Sequence, residues 1–235
     1  MSNRSLKDRI IVALDQENLD AAERVVKVLA GVISFFKVGS ELFSAAGPAA
    51  IEMVKSSGAE VFLDLKYHDI PNTVSRAVAR AAAYGVSLVN VHTLGGFDMM
   101  RAAADAALSV DPTTRVIGVT VLTSMDATDL ARVGIDDTPD REVLRLARLA
   151  KEAGLSGVVS SAREATRLRK ELGPDFILVT PGIRPAGADA GDQKRIVTPR
   201  GAFDAGADYI VVGRPIAAAP DPRAAAESII KEIGE

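Results

Sequence analysis

Short apolar runs alternate along the chain with longer stretches that have the periodicity of helices. The apolar runs are rich in Val, Ile and Phe, and the longer stretches are rich in Ala, Glu and Arg. This alternation is typical of repeated strand-helix units that build a parallel sheet. The predicted strands are Ile10–Leu14, Ile33–Val38, Val61–Lys66, Leu88–His92, Arg115–Leu122, Gly157–Ser160, Phe176–Thr180 and Tyr209–Val212.

Helices fit into the intervals between these strands. The predicted helices are Leu19–Ala30, Pro48–Ser57, Thr73–Tyr84, Phe97–Leu108, Asp140–Ala153, Arg163–Leu172, Arg195–Ala205 and Pro222–Ile233. Several end at a glycine, the residue that most readily adopts the left-handed conformation found at helix ends. These glycines are Gly31, Gly58, Gly85, Gly154, Gly173 and Gly206.

About eight strand-helix units favour a closed (βα)8 TIM barrel of the α/β class over an open doubly wound sheet. The length of 235 residues suits one such barrel, and no linker or low-complexity tract divides the chain. We therefore predict a single barrel domain over residues 1–235. The polar segment Gly182–Thr198 follows the seventh predicted strand and is a candidate for a lid over a ligand.

Composition and charge exclude several classes of site. The chain has no Cys, which excludes disulfides, thiolate metal sites and thiol catalysis. Its two His residues cannot form a His-rich metal site, although carboxylates remain able to hold Mg²⁺. The 28 basic and 31 acidic side chains are mixed along the chain, with a formal charge of -3, so we predict no patch for nucleic acid.

No stretch of the sequence has the apolar length that a membrane helix requires, which is roughly 18 residues. Residues 1–9 are polar and lack the apolar core of a signal peptide. Both observations favour a cytoplasmic protein.

Polar residues recur at the ends of the predicted strands. In a βα barrel the active site lies at the carboxyl ends of the strands, so these residues are candidates for its lining. They are Asp15, Lys37, Asp64, Lys66, His92, Thr123, Arg184, Gly213 and Arg214.

Four charged residues near the second and third strands form the first candidate site. Asp64 and Lys66 are two residues apart, so in an extended strand both face the same side. Lys37 lies near the end of the neighbouring strand, and Asp69 follows in the next loop. Partly buried charges contribute little to stability, because desolvation offsets their attraction. A functional cluster is therefore favoured over ordinary salt bridges at the rim of the barrel.

A second candidate site lies after the seventh and eighth strands. Residues 181–184 have the sequence Pro-Gly-Ile-Arg, and Gly213 and Arg214 follow the last strand. These two loops form the usual phosphate site of this fold, where main-chain N–H groups and an arginine bind the anion. The alternative is a tight turn with a solvated arginine. His68 and His92 are weaker candidates. His68 lies in a loop beside Asp69, and for His92, at the end of an apolar strand, hydrogen bonds to its neighbours are a sufficient explanation.

Within Val61–Thr73, the sequence DLKYHDIPNT resembles the D-x-K-x-x-D-I-P-x-T signature of the orotidine 5'-monophosphate decarboxylase family. This motif is quite specific, and further matches to the family occur in order along nearly the whole chain. They are Ala13–Asp15, Phe36–Gly39, Val119–Ser124, Thr180–Pro185, Gln193 and Val211–Pro215.

The resemblance implies decarboxylation of orotidine 5'-monophosphate to uridine 5'-monophosphate, in pyrimidine biosynthesis, without a metal or another cofactor. Lys66 would protonate the carbon that loses CO₂, and Asp64 would face the departing carboxylate. A homodimer with shared sites is also implied, in which Asp69, Ile70 and Thr73 reach into the partner's site. The other implied contacts are Asp15 and Lys37 with the ribose, Thr123 with the pyrimidine, and Pro181, Arg184, Gln193, Gly213 and Arg214 around the phosphate.

Two other interpretations stay open at this point. One is a Mg²⁺-dependent sugar-phosphate decarboxylase or aldolase of the same barrel superfamily, such as a 3-keto-L-gulonate 6-phosphate decarboxylase or a hexulose-phosphate synthase. Residues 69–73 and 180–185 resemble the nucleotide enzyme more than this rival. The other is a catalytically silent phosphate-binding barrel, which has no need of the alternating Lys and Asp residues.

Overall fold

Eight parallel strands form the centre of the computed structural model, which describes residues 5–185 and 197–234. The strands are β1 (Ile10–Ala13), β2 (Phe35–Gly39), β3 (Glu60–Tyr67), β4 (Leu88–His92), β5 (Arg115–Val119), β6 (Gly157–Val159), β7 (Ile177–Thr180) and β8 (Tyr209–Val212). Each strand pairs with the next, and β8 pairs with β1, so the sheet closes into a barrel. The prediction of a TIM barrel is confirmed.

Helices connect the strands and cover the outside of the barrel. They are α1 (Leu19–Leu29), α2 (Ser40–Ala46), α3 (Ala49–Ser56), α4 (Pro71–Ala83), α5 (Phe97–Val110), α6 (Ala127–Arg132), α7 (Pro139–Glu152), α8 (Ala162–Leu172), α9 (Pro199–Asp204), α10 (Arg214–Ala217) and α11 (Pro222–Ile233). Short 3₁₀ turns occupy Lys7–Arg9 and Thr93–Gly95. All six glycines that were predicted to end helices have a positive φ, between 67° and 106°.

The predicted strands are all present, with ends that differ by a few residues. The fifth was predicted to reach Leu122 and ends at Val119. The ladder weakens at Thr120, whose N–H lies 3.5 Å from the carbonyl oxygen of Val159, while its hydroxyl donates to the same oxygen at 2.8 Å. The hydroxyl thus competes with the main-chain N–H for one carbonyl, and regular pairing ends here.

Three short helices were not predicted: α2, α6 and α10. For α6 a signal was present, because Asp126 and Asp129 form a capping box at its start. The predicted helix Arg195–Ala205 is wrong at its beginning, since α9 starts at Pro199 after Thr198, whose hydroxyl accepts from the N–H of Gly201. Residues 186–196, which include Arg195 and most of the predicted lid, lie outside the described residues.

The core has two layers that follow from the alternation of side chains along each strand. Outward-facing residues pack against the helices in the larger layer. Inward-facing residues fill the barrel in the smaller layer, which comprises Ile11, Ala13, Phe35, Phe62, Leu88, Ile117, Val179 and Val211. The next inward positions on β2, β3 and β4, two residues further along, are Lys37, Asp64 and Asn90. The apolar filling therefore gives way to buried polar groups towards the carboxyl ends of the strands.

Candidate active site

A cavity of about 480 Å³ opens at the carboxyl ends of the strands. Its floor is apolar and its walls carry charges of both signs. The apolar lining comprises Ala13, Phe62, Val119, Val121, Leu122, Val159, Pro181 and Val211, and the polar lining comprises Asp15, Lys37, Glu41, Asp64, Lys66, Thr123, Ser160, Gly182, Arg184, Gly213 and Arg214. A pocket of this size with a few convergent polar groups suits a small polar ligand.

A chain of ion pairs runs along one wall of this cavity. The ammonium group of Lys37 lies 3.0 Å from Oδ1 of Asp15 and 3.3 Å from Oδ2 of Asp64. The other oxygen of Asp64 lies 2.7 Å from Nζ of Lys66. The Lys37 and Asp64 side chains are only 11% and 12% exposed, whereas the Asp15 side chain is 54% exposed. Three of the four residues in the first predicted cluster are thus brought together, joined by Asp15.

The charge of Lys37 is stabilised by its two carboxylate partners. Burial by itself lowers the pKa of Lys37, but the charges and hydrogen bonds of Asp64 and Asp15 outweigh burial and raise the pKa above its ordinary value. Lys37 therefore carries a positive charge at neutral pH. Gly39 makes room for this arrangement, because a Cβ at that position would lie 2.8 Å from Nζ of Lys37.

Lys66 has a strained main chain. Its φ of 51° is the only positive φ of a non-glycine residue among residues 5–185 and 197–234. This conformation costs roughly 1–2 kcal/mol for a residue with a Cβ, and such strain is found where the surroundings hold a functional group in place. The N–H of Lys66 donates to Oδ1 of Asn90 at 2.8 Å.

Sequence reasoning missed Asn90 and Glu41. Asn90 is fully buried on β4, and its Nδ2 donates to Oδ1 of Asp64 at 2.7 Å. A signal was present, since Asn90 is the one polar residue inside an apolar strand and lies two positions after the inward-facing Leu88. Glu41 lies in α2, which was not predicted, and lines the cavity.

The second predicted constellation lines the same cavity. Pro181, Arg184, Gly213 and Arg214 all contribute to the lining. Arg184 is buried, and one of its guanidinium nitrogens donates to the carbonyl of Ile183 at 2.8 Å. A Cβ added at Gly213 would find no protein atom closer than 3.6 Å, so packing does not require a glycine there. A half-buried glycine main chain with open space beside it, in a cavity that two arginines also line, is a suitable environment for an anion.

Some predicted residues lie away from this cavity. Asp69, Ile70 and Thr73 are exposed, and none of them contributes to its lining. Oδ1 of Asp69 accepts from the N–H of Ile70 at 2.6 Å, and the Ile70 side chain projects outward with 66% exposure. Gln193 lies outside the described residues. Within one chain, Asp69 therefore does not contribute to the candidate site.

The two histidines stack on each other beside the cavity and do not line it. Their ring centroids are 5.6 Å apart. Burial, followed by the nearby His68 and Lys66, lowers the pKa of His92 below its ordinary value. His92 is therefore neutral at neutral pH. Among the described residues, no three His, Asp or Glu side chains are grouped as ligands for a metal.

A larger cavity of about 1120 Å³ opens at the opposite, amino-terminal ends of the strands. Its charged residues hold the fold together. Nε of Arg9 donates to the carbonyl of Asp208 at 2.6 Å, Arg169 pairs with the Asp208 carboxylate at 2.6 Å, and Lys151 donates to the carbonyl of Leu172 at 2.8 Å. Residues at this face of a TIM barrel serve stability, so the carboxyl-end cavity is the candidate active site.

Fold and cavity together define a TIM-barrel protein with a charged ligand pocket at the carboxyl ends of its strands. No helix in the described part of the chain is long and apolar enough to cross a membrane. The family model described as "Orotidine 5'-phosphate decarboxylase / HUMPS family" matches residues 8–229. The chain belongs to this family.

Individual relatives agree with the family match. The chain is 55% identical to an orotidine 5'-phosphate decarboxylase of Hydrogenovibrio crunogenus, over 96% of both chains. It is 54% identical to one of Pseudoalteromonas translucida, over 96% of this chain and 97% of the relative. The crystal structure of orotidine 5'-phosphate decarboxylase from Lactobacillus acidophilus superposes with a TM-score of 0.85 at 38% identity, covering 97% of this chain and 100% of that one.

Proposed function

We propose that this chain is a carboxy-lyase that converts orotidine 5'-monophosphate into uridine 5'-monophosphate and CO₂, in pyrimidine biosynthesis. The observation that carries the proposal is the chain of ion pairs from Asp15 through Lys37 and Asp64 to Lys66 inside the cavity. The names of the relatives, which align over nearly the whole chain, support the same reaction. We further propose that residues 1–235 act as one catalytic domain and need no metal or other cofactor.

Lys66 is the proposed proton donor. When the bond to the carboxylate breaks, CO₂ leaves and the electron pair stays on the ring carbon. A preorganised cation stabilises that developing charge, and a proton from the same cation then quenches it. Nζ of Lys66 donates to Oδ1 of Asp64 at 2.7 Å, and this contact holds the ammonium group in place inside the cavity. The protonation leaves Lys66 as a neutral amine that solvent reprotonates.

Asp64 and its neighbours have proposed roles in placing the substrate. Asp64 faces the departing carboxylate and fixes Lys37 and Lys66 through its two oxygens. Asp15 and Lys37 bind the ribose hydroxyls, for which a half-exposed carboxylate and an ammonium group are suitable partners. Thr123, which also lines the cavity, contacts the pyrimidine.

The phosphate is proposed to bind between the loops after β7 and β8. Arg184 and Arg214 supply guanidinium donors, Gly213 supplies open main chain, and Pro181 shapes the wall. Gln193 is proposed as a further phosphate contact. The phosphate is remote from the reacting carbon, so its binding energy is available to organise the site for the chemical step.

Replacing Arg214 with alanine tests this phosphate site. We expect Arg214→Ala to lower kcat/KM for orotidine 5'-monophosphate by about 10²-fold, because a charge-assisted contact to the phosphate is lost. Steady-state kinetics measures the effect. Arg223→Ala is the matched control, since Arg223 is an exposed arginine that pairs with Glu227 on α11. If the two variants have the same kcat/KM as the wild type, the phosphate site is assigned wrongly.

We also propose a homodimer with shared active sites. Asp69, Ile70 and Thr73 are exposed outside their own cavity, and they lie at the start of α4 and in the loop before it. Phe97, at the start of the packed neighbour α5, is likewise 37% exposed. Exposed apolar side chains that flank an exposed carboxylate are suited to contact a second copy. Asp69 of one chain would then pair with Lys66 of the second copy.

The decisive experiment follows the loss of orotidine 5'-monophosphate absorbance with purified protein in EDTA. We expect turnover that is unchanged when the chelator is added, because the proposed chemistry uses Lys66 and its ion pairs alone. Turnover only with Mg²⁺, or turnover of a sugar phosphate instead, would support the Mg²⁺-dependent rival of the same barrel superfamily. Binding of the nucleotide without formation of product would indicate a silent barrel.

A further inference from the structure

Asn90 lies where polar residues are costly. It is fully buried and faces the inside of the barrel, two positions after Leu88 of the inner apolar layer. A buried amide without partners is unfavourable, and an apolar residue of similar size would fill the position at no such cost. The amide of Asn90 is instead bonded on both sides, to Lys66 and to Asp64.

The pairing of β3 with β4 is interrupted beside Asn90. Leu63 pairs with Val89, but the next pair along the two strands is Tyr67 with Val91. Residues 64–66 of β3 therefore face one residue of β4, which is Asn90. The main-chain N–H of Lys66 has no regular ladder partner there, and the Asn90 side chain accepts it at 2.8 Å. Such irregular pairing commonly re-aims a side chain next to an active site.

Three hydrogen bonds join these residues in a closed ring. The N–H of Lys66 donates to Oδ1 of Asn90, Nδ2 of Asn90 donates to Oδ1 of Asp64 at 2.7 Å, and Nζ of Lys66 donates to that same oxygen at 2.7 Å. The amide orientation follows from the chemistry, because a main-chain N–H only donates and an ionised carboxylate only accepts. Both ends of Lys66, the strained main chain and the ammonium group, are thus held by one asparagine and one aspartate.

We infer that Asn90 is a positioning residue, which holds the strained main chain of Lys66 and orients Asp64 so that the lysine ammonium points at the reacting carbon. This inference rests on the proposed function and assigns a determinant of the chemical step outside the charged residues. Displacing a reacting group by about 1 Å is enough to slow a reaction by about 10²-fold. Asn90 therefore acts on the rate without touching the substrate.

The test compares Asn90→Leu with the wild type in the assay with EDTA. We expect kcat to fall by about 10²-fold while KM changes by less than about threefold, because the lysine is misplaced but the binding groups remain. Thr114→Val is the matched control. It removes another buried hydrogen bond, which the hydroxyl of Thr114, just before β5, donates to the carbonyl of Val86, and it should leave kcat unchanged. Wild-type kinetics in a folded Asn90→Leu variant would overturn the inference.

A crystal structure of Asn90→Leu separates this inference from the proposed function. We expect the φ of Lys66 to leave its value of 51° and its Nζ to move from Asp64, whether or not the wild type decarboxylates the nucleotide. An unchanged Lys66 would overturn the inference, whereas an inactive wild type would count against the proposed function alone.

Asn90→Asp is the second variant, in case Asn90→Leu does not fold. It keeps the shape and the acceptor for the N–H of Lys66, but the introduced carboxylate repels Asp64, which the ammonium groups of Lys37 and Lys66 also contact. We expect its kcat relative to the wild type to rise as the pH is lowered from about 8 to about 5.5. Protonation of the carboxylate introduced at position 90 gives it an O–H that donates to Asp64, as the amide of Asn90 does. A ratio that does not change with pH would contradict the inference.

Discussion

Replacing Lys66 with alanine is expected to lower kcat/KM for orotidine 5'-monophosphate by about 10⁴-fold or more. The substitution removes the proposed proton donor, which alone contributes about 10²–10⁴-fold, together with the cation that stabilises the developing charge. It also leaves Asp64 with one ammonium partner, Lys37, in place of two. Single-turnover and steady-state measurements in EDTA give the effect on the chemical step.

Two further lysine variants show whether the position of the charge matters. Lys66→Arg keeps a positive charge but has no acidic proton near neutral pH, so we expect it to remain severely impaired. Lys55→Ala removes an exposed lysine of α3 that donates to the carbonyl of Tyr84 and does not line the cavity, and this variant should match the wild type. A Lys66→Ala variant with substantial turnover would refute the assignment of the proton donor.

Asp69→Ala is expected to lower kcat/KM by about 10³-fold, although Asp69 lies outside the cavity of its own chain, because a carboxylate that aligns the proton donor is lost. The physical reason is that Asp69 is proposed to complete the site of a second copy, beside that copy's lysine. If Asp69 only caps its own loop, the Asp69→Ala substitution should have almost no effect on turnover.

Mixing two inactive variants distinguishes these possibilities. When Lys66→Ala and Asp69→Ala chains exchange subunits, half of the dimers contain one of each, and each such dimer has one site without either substitution. We expect about a quarter of the wild-type site activity to return, as the two-fold symmetry of a dimer requires. Mixing each variant with itself is the control. No recovery after demonstrated subunit exchange would mean that Asp69 does not act across an interface.

The sequence predicts the barrel well because period-two and helical patterns are both strong along this chain. It also predicts that Lys37, Asp64 and Lys66 meet, since the carboxyl ends of parallel strands share one face, whereas Asp69, the fourth residue of the predicted cluster, lies outside the cavity of its own chain. Lys37 lies on β2, and Asp64 and Lys66 lie on β3. All three line one cavity. Element ends are less predictable, because they depend on local competition such as the double donation by Thr120 to one carbonyl.

Asn90 shows why part of the site escapes sequence reasoning. Its polarity inside an apolar strand marks the position, but the amide carries no charge and belongs to no motif, and its role depends on the interrupted pairing of β3 with β4. That irregularity is a property of two strands together and is not visible in either one. The positive φ of Lys66 is likewise set by its surroundings, since lysine has no intrinsic preference for it.

The closure of the barrel by β8 against β1 links the candidate site to the order in which the chain folds. Asp15 follows the first strand and Gly213 follows the last, yet a Cβ on Gly213 would lie 3.7 Å from the Asp15 carboxylate. On the ribosome, Asp15, a proposed ribose contact, is therefore synthesised long before Gly213, a proposed phosphate contact. A nascent chain gains the complete pocket only when the last strand docks. A nucleotide that spans both sides would bind only the closed barrel and would stabilise it against opening at this seam.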